Sequence, residues 1–324
     1  MAGTKVTIAL ATYNGGKFLP AFLASIDQQT HRPCELVVCD DGSSDGSLEV
    51  LNEYSREASF PVRILAAHGH RGVVGNFSRA IAASRGEWIA LADQDDVWRP
   101  IKLERLVQEA ANPTVMAIFS DAEVVDEHRD PLGYTMWEQI GFGGRRRAQC
   151  LEDRPWEALF KDPVVSGATM VFRRELAPLI FPIPDFWMHD AWIAQISASQ
   201  GQLVAVPTPL IEYRQHNSNV IGGRKVPLFG QVRRAGSIGR LGLVERELRR
   251  YEELRDRLAT FPATTRRDRM LTLCDAKLNH LLRRSRVPSA RIRRVPSVLR
   301  EWLNGNYARF AKDWRNIAAD LLMP

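Results

Sequence analysis

Asp93, Asp95 and Asp96 stand within four residues of one another, directly after the apolar run Gly86-Glu-Trp-Ile-Ala-Leu-Ala92. Acids this close repel one another and ask for a cation. Their oxygens suit a hard divalent ion, Mg²⁺ or Mn²⁺, held against the diphosphate of a nucleotide. The competing reading is an acidic turn or a cap for a helix starting near Trp98-Arg-Pro100. A second constellation is Asp185-Phe-Trp-Met-His-Asp190. There Trp187, Met188 and Trp192 would partly desolvate the Asp190 carboxylate and raise its pKa. The alternative makes His189 and Asp190 caps of the helix that follows and the tryptophans core.

The elements around these residues follow from the apolar pattern. Residues 5–11 read as a strand entering the turn Thr12-Tyr-Asn-Gly-Gly16, followed by a helix over 18–29. Residues 35–39 repeat the pattern, ending in Asp40-Asp-Gly-Ser-Ser-Asp-Gly-Ser47 before a helix over 48–57. A third strand, 62–65, leads to His70-Arg-Gly-Val-Val-Gly-Asn-Phe77 and a helix through Ser84, and the strand before Asp93 comes next. Strands alternating with helices predict an α/β fold with a mostly parallel sheet and right-handed crossovers. The polar loops then gather at the carboxyl edge, where such sheets bind ligands.

Five motifs in this order resemble the family 2 glycosyltransferases of the GT-A fold: Thr12-Tyr-Asn14, Asp40-Asp-Gly-Ser43, Gly72-Val-Val-Gly-Asn76, Asp93-Gln-Asp-Asp-Val-Trp98 and Met188-His-Asp-Ala-Trp192. The segment from Tyr213 to Gly222 resembles the rhamnosyltransferase-like branch more specifically. The resemblance implies a Rossmann-like nucleotide-diphospho-sugar transferase in which Tyr13 and Asp41 meet a pyrimidine base. Asp93 or Asp95 then reaches the ribose, Asp95 or Asp96 ligates the metal, and Asp190 is the base of an inverting transfer. It places Ala11, Thr12, Asn14, Gly75, Asn76, Gln94, Gly167 and His189 on the nucleotide sugar, with Trp187 and Trp192 on the acceptor. In related folds a late histidine or basic residue closes over metal and diphosphate, a role open to Arg214 or His216, with His216 a metal ligand; an ordinary surface histidine is the alternative. Gly167, in Ser166-Gly-Ala-Thr-Met170, leaves room for close backbone approach to the sugar. The Gly143-Gly-Arg-Arg-Arg147 run reads as a solvated loop, or as an acceptor loop neutralising a lipid-linked pyrophosphate.

Charge divides the 324 residues unevenly. Residues 1–223 carry 20 Lys and Arg against 28 Asp and Glu, whereas residues 224–324 carry 24 against 10. An acidic GT-A domain, 1–223, is therefore expected to precede a basic helical region, 224–324, with helices over 243–258, 266–284 and 297–322. In the last of these Leu299, Trp302, Leu303, Tyr307, Phe310, Trp314, Ile317 and Leu321 recur at helical spacing, opposite Arg300, Arg309, Lys312 and Arg315. Such a helix suits an anionic membrane surface, or packing on the enzyme domain or a second subunit. No nucleic-acid recognition motif accompanies the basic charge. The longest apolar runs are too short to span a bilayer, and residues 6–11 are too short for a signal core. Cys34, Cys39, Cys150 and Cys274 lack metal or disulfide spacing, which suits a reducing cytoplasm.

These features together predict a metal-dependent inverting glycosyltransferase, cytoplasmic and peripheral on the inner face of the cell membrane. It would move rhamnose or another hexose from a dTDP- or UDP-sugar to a saccharide or lipid-linked saccharide in cell-surface polysaccharide or O-antigen synthesis. Two alternatives remain at this point. One is a nucleotidyltransferase, although the loop after the first strand offers only Lys17 to a triphosphate. The other is a catalytically silent scaffold that binds nucleotide sugar.

Overall fold

The computed structural model describes residues 3–65, 69–216, 228–288, 290–311 and 314–323. The first strand, β1 (Val6–Thr12), is almost entirely buried because it runs down the middle of a sheet covered on both faces, which is why its sequence is a nearly unbroken apolar run. After it come α1 (Leu19–Asp27), β2 (Glu35–Asp40), α2 (Ser47–Glu57), β3 (Val62–Leu65), α3 (Gly72–Ala83) and β4 (Trp88–Asp93). Helix α1 starts later than the pattern suggested, since Pro20 fits only its first turn. The next elements are β5 (Val97–Trp98), α4 (Lys102–Ala110), β6 (Val115–Val125), β7 (Pro131–Thr135), α5 (Met136–Ile140), α6 (Gly144–Leu151) and α7 (Pro155–Leu159). Strand β8 (Met170–Arg173), α8 (Ala177–Ile180), α9 (His189–Gln200) and β9 (Gln202–Arg214) complete the sheet and its cover. The Arg145–Arg147 run lies in α6 rather than in the expected loop.

Strand order is β3-β2-β1-β4-β8-β6-β9-β5, with β7 beside β6. The half containing β1 to β4 is parallel, whereas β8 runs antiparallel to both β4 and β6. The order of connection reverses between β1 and β4, because β2 and β3 lie on one side of β1 and β4 on the other. A crevice opens at such a switch point, beyond the carboxyl ends of the strands. Register puts Ala11 beside Asp93 and Thr12 beside Asp40, so the two motif-bearing turns leave the sheet side by side. Beneath them Ile8, Leu10, Leu36, Val38, Ala90, Phe22 and Leu51 form a continuous buried core.

Contacts divide the chain into two compact units. The first comprises Met1–Pro155, Val164–Ile183 and Met188–Asn219; the second comprises Trp156–Pro163, Pro184–Trp187 and Val220–Pro324. The expected boundary at residue 223 lies outside the described residues, as do positions 217–222 of the segment starting at Tyr213. Two short pieces far back in sequence, 156–163 and 184–187, belong to the second unit. Its helices are α10 (Leu228–Ala259), α11 (Thr265–Ser285), α12 (Arg291–Leu303), α13 (Asn306–Phe310) and α14 (Arg315–Leu322).

The helix expected over 297–322 is thus three helices. Gly305 adopts φ 71°, a left-handed conformation that ends α12 and turns the chain back. Tyr307, Ala311, Ile317 and Leu321 consequently pack with Val298 in a small core of their own. Beside it Asp320 is fully buried and accepts hydrogen bonds from Arg284 Nε at 2.6 Å and Tyr307 Oη at 2.6 Å.

His280 accompanies this core, its Nδ1 2.6 Å from Glu301 Oε2. Burial outweighs the carboxylate and pushes the imidazole pKa down to about 4. A folded-state pKa below the unfolded value means that the unfolded chain takes the proton first as pH falls. The contribution is therefore complete above the ordinary histidine pKa and is lost on acidification toward about 4. The melting temperature is expected to drop between about pH 7 and pH 5, a loss on the order of 2 kcal/mol, and a His280→Gln variant should give a flatter profile in the same melts.

Candidate active site

Gln94 stitches the two turns together at the switch point. Its Oε1 accepts from Thr12 Oγ1 at 2.6 Å and from the Tyr13 amide at 2.9 Å, while its Nε2 donates to the Tyr13 carbonyl at 3.0 Å. Gly15 has no room for a side chain here, since a Cβ would lie 2.1 Å from Gln94 Oε1. The rest of the turn is pinned to the loop after β2. Asn14, at φ 48°, accepts from the Ser44 amide at 2.9 Å, and its own amide donates to Ser43 Oγ at 2.8 Å. Asn76 Nδ2, inside α3, donates to the carbonyls of Thr12 and Cys39, so its amide nitrogen holds the β1 and β2 ends together. Gly75 is half-buried one residue before it.

Asp41 is buried, with its two oxygens accepting from the amides of Arg71 and Gly72 at 2.7 and 2.8 Å. His70 Nδ1 lies 2.8 Å from Asp41 Oδ2, and its ring sits 5.0 Å from that of the half-exposed Tyr13. The two rings meet at a tilt of 56° beside a buried carboxylate, and the half-exposed Tyr13 ring suits stacking with a nucleobase. Each carboxylate oxygen has two lone pairs, so Asp41 keeps capacity for one more N–H. His70 escaped the sequence reading; its only signal was an imidazole directly ahead of Arg-Gly-Val-Val-Gly.

The acids converge as the spacing suggested. Burial, then Asp95 and Asp190, push the Asp93 carboxyl up to about 7. Burial with Asp95 and Asp93 raises Asp96 well above the carboxylate range. The phenol of Tyr213 is raised by burial and by the same four carboxylates, Asp96, Asp93, Asp95 and Asp190, which places all five groups in one electrostatic neighbourhood. Strand β9 completes the cluster from far along the chain. By pairing with β5 it brings the Arg214 amide to 3.3 Å from Asp96 Oδ1 and His216 Nε2 to 2.8 Å from Asp95 Oδ2. Phe18 backs both, stacked on His216 at 4.6 Å with the Arg214 guanidinium 4.9 Å from its centroid.

Lys102 also escaped the sequence reading. It is completely buried in the first turn of α4, donates to the Ala168 carbonyl at 2.7 Å, and lies 3.4 Å from the Trp98 ring centroid. Burial pulls its pKa well down, against the opposing pull of Asp96 and Asp93. The available signal was its place in line with Leu103, Leu106 and Ala110 on the apolar face.

Asp190 stands in the first turn of α9, where its oxygens accept from the Gly167 amide at 3.1 Å and the Ala191 amide at 2.7 Å. His189 is buried, stacked on Phe77 at 4.1 Å, and among the described residues neither ring nitrogen has a hydrogen-bond partner. A Cβ at Gly167 would come within 2.8 Å of His189 Nε2, so the glycine is sterically required. The two tryptophans do not serve as stacking platforms. Trp192 is fully buried and donates to the Ile180 carbonyl at 2.8 Å. Trp187 is buried in the second unit, donating to the Arg250 carbonyl at 3.0 Å and packing on Tyr251. Their faces are occupied by protein, which is the physical reason for correcting that expectation.

Among the described residues no group of three His, Cys, Asp or Glu side chains forms a complete metal cage. A divalent ion shared with a diphosphate needs only one or two carboxylates, the remaining ligands being phosphate and water oxygens. The donor set fits that case. Asp96 Oδ2 is buried with no hydrogen-bond partner among the described residues, and Asp95 is partly exposed beside it. Lys17 pairs instead with Glu127 at 3.3 Å, away from any triphosphate role.

This chain belongs to glycosyl transferase family 2, whose model matches residues 7–178. It is 28% identical over 220 residues to the uncharacterized glycosyltransferase alr2836 of Nostoc sp., covering 66% of each chain. It is also 28% identical over 123 residues, 38% of this chain and 47% of the relative, to the UDP-Glc:alpha-D-GlcNAc-diphosphoundecaprenol beta-1,3-glucosyltransferase WfgD of Escherichia coli. The matches thus span about two thirds of the first relative and less than half of the second. Its fold is similar to that of the mannosyltransferase PcManGT of Pyrobaculum calidifontis, solved with GDP-Man and Mn²⁺, at a TM-score of 0.54 and 19% identity, covering 94% of this chain and 77% of that one. The chain therefore carries a family 2 glycosyltransferase domain with the GT-A fold.

Proposed function

We propose that this enzyme transfers a hexosyl group, rhamnose among the candidates, with inversion from a dTDP- or UDP-sugar to a hydroxyl of a lipid-linked saccharide in cell-surface polysaccharide synthesis. The observation that carries the reading is the common neighbourhood of Asp93, Asp95, Asp96 and Asp190, with Asp190 held by the Gly167 amide at 3.1 Å. The base stacks on Tyr13, and Asp41 accepts its imide N–H. Asp95 and Asp96 hold the divalent ion, with His216 closing beside Asp95. When bound, that ion supplies positive charge against the departing diphosphate. The acceptor oxygen attacks the anomeric carbon from the face opposite the diphosphate while Asp190 takes its proton. The bond between the anomeric carbon and the β-phosphate oxygen breaks, and its electron pair leaves on the diphosphate. Support for a pyrimidine donor and a diphospholipid acceptor comes from the name of the Escherichia coli relative. A cytoplasmic position on the inner membrane face accords with that acceptor.

Calorimetric titration with dTDP, UDP and GDP, each with Mn²⁺ and with chelator, tests the donor site. Metal-dependent binding of dTDP or UDP with Kd in the range of about 1 μM to 1 mM is the expected result. Selective binding of GDP would shift the donor class. Failure of all three in the presence of metal would return the acidic motif to a structural turn and the chain to a silent scaffold.

A further inference from the structure

We propose that the exposed face of α12 lies on an anionic lipid bilayer. The surface differs from the stripe suggested by sequence. Tyr307, Ile317 and Leu321 from that stripe are used in the small core, together with Val298, and Lys312 lies outside the described residues. On α12 itself Ile292, Val295, Leu299, Trp302 and Leu303 remain outside, with Ile292 87%, Leu303 68% and Trp302 56% exposed, and Trp314 beyond it is 65% exposed. At 100° per residue these five side chains fall within an arc of about 100°, and Arg293 and Arg300 lie along one flank. Arg294, Val298 and Glu301 occupy the opposite, buried side. A continuous apolar strip of this kind calls for a covering partner.

The charge around the strip selects that partner. Residues 281–324 contain ten Lys and Arg against three acids. Glu301 and Asp320 are buried and already engaged by His280, Arg283 and Arg284. No exposed carboxylate remains among the described residues of this stretch. A second copy would bring two cationic surfaces together, a juxtaposition that disfavours association. Single-stranded nucleic acid would match the charge but would find one indole, Trp302, in a strip otherwise aliphatic, where successive stacking platforms in a basic groove are needed. Anionic lipid satisfies both components: aliphatic and indole groups enter the head-group boundary while the flanking guanidinium groups meet phosphates. Among the described residues no helix is long and apolar enough to cross a membrane, so this contact lies in the plane of the surface.

The inference deepens the lipid-linked acceptor reading, yet its test has no turnover readout, so either can fail alone. The full chain is sedimented with phosphatidylcholine vesicles with and without phosphatidylglycerol. Wild-type protein should partition onto the anionic vesicles and be released by salt. A Leu299→Ser, Trp302→Ser double variant should bind at least ~10-fold more weakly. Arg293→Gln and Arg300→Gln should each cost about fivefold and reduce the salt dependence. All substituted positions are exposed, and unchanged melting and nucleotide titration establish that the variants are folded. No partition onto anionic vesicles, or equal partition by wild type and the serine variant, overturns the proposal. A concentration-dependent dimer abolished by the serine substitutions also overturns it and assigns the face to a second copy.

Discussion

Asp190→Asn is expected to cut transfer by about a thousandfold, within the range general-base catalysis contributes, while leaving nucleotide affinity within a factor of about two. Asparagine keeps one acceptor oxygen, so it can still receive the Gly167 or Ala191 amide that orients the native carboxylate. What it loses is the capacity to take the proton of the attacking hydroxyl. The measurement is single-turnover transfer from a radiolabelled donor beside calorimetric binding of the nucleotide. Persistence of transfer within tenfold of wild type would remove Asp190 from the chemistry, and parallel loss of transfer and binding would make it a structural residue.

A different pattern is expected for Asp95→Asn. Its carboxylate lies beside buried Asp96 and 2.8 Å from His216 Nε2. Loss of this charge should weaken the metal-dependent part of nucleotide binding and lower kcat/KM by at least ~100-fold, comparable with removing a principal electrostatic stabiliser of a leaving oxyanion. His216→Ala should cost less, about tenfold, because it removes only the partner that orients Asp95. The comparison is made by titrating nucleotide at several Mn²⁺ concentrations. If Asp95→Asn binds nucleotide as tightly as wild type with the same metal dependence, the ion is not held by this residue.

Much of the first unit was legible because its strands are buried on both faces and their apolar runs are hard to read otherwise. The run ending at Ala92 specified β4, and the polar residues after β1, β2 and β4 marked one edge of the sheet. Long-range pairings were less accessible. A tryptophan next to a carboxylate has the same local sequence whether it faces a crevice or the core, and Trp192 turned inward to the Ile180 carbonyl. Lys102 was passed over for the opposite reason, since a lysine opening a helix usually points to solvent and its alignment with Leu103, Leu106 and Ala110 was the one contrary sign. The terminal stripe was periodic as read, but periodicity is blind to a left-handed residue such as Gly305, which folds the stripe onto itself. His70 carried no spacing rule, so only the fold could bring it to Asp41.

The glutamine between Asp93 and Asp95 gives the acidic motif an unexpected grammar. Its planar amide accepts on one edge and donates on the other, so the residue between the acids is dictated by the hydroxyl of Thr12 and the backbone of Tyr13, 82 and 81 positions away. The turn bearing Tyr13 and the turn bearing Asp95 and Asp96, which we propose meet base and metal, are thereby tied to each other before any donor arrives. A ligand meeting such a pair spends little of its binding free energy on ordering loops, and more of it remains to discriminate one sugar nucleotide from another.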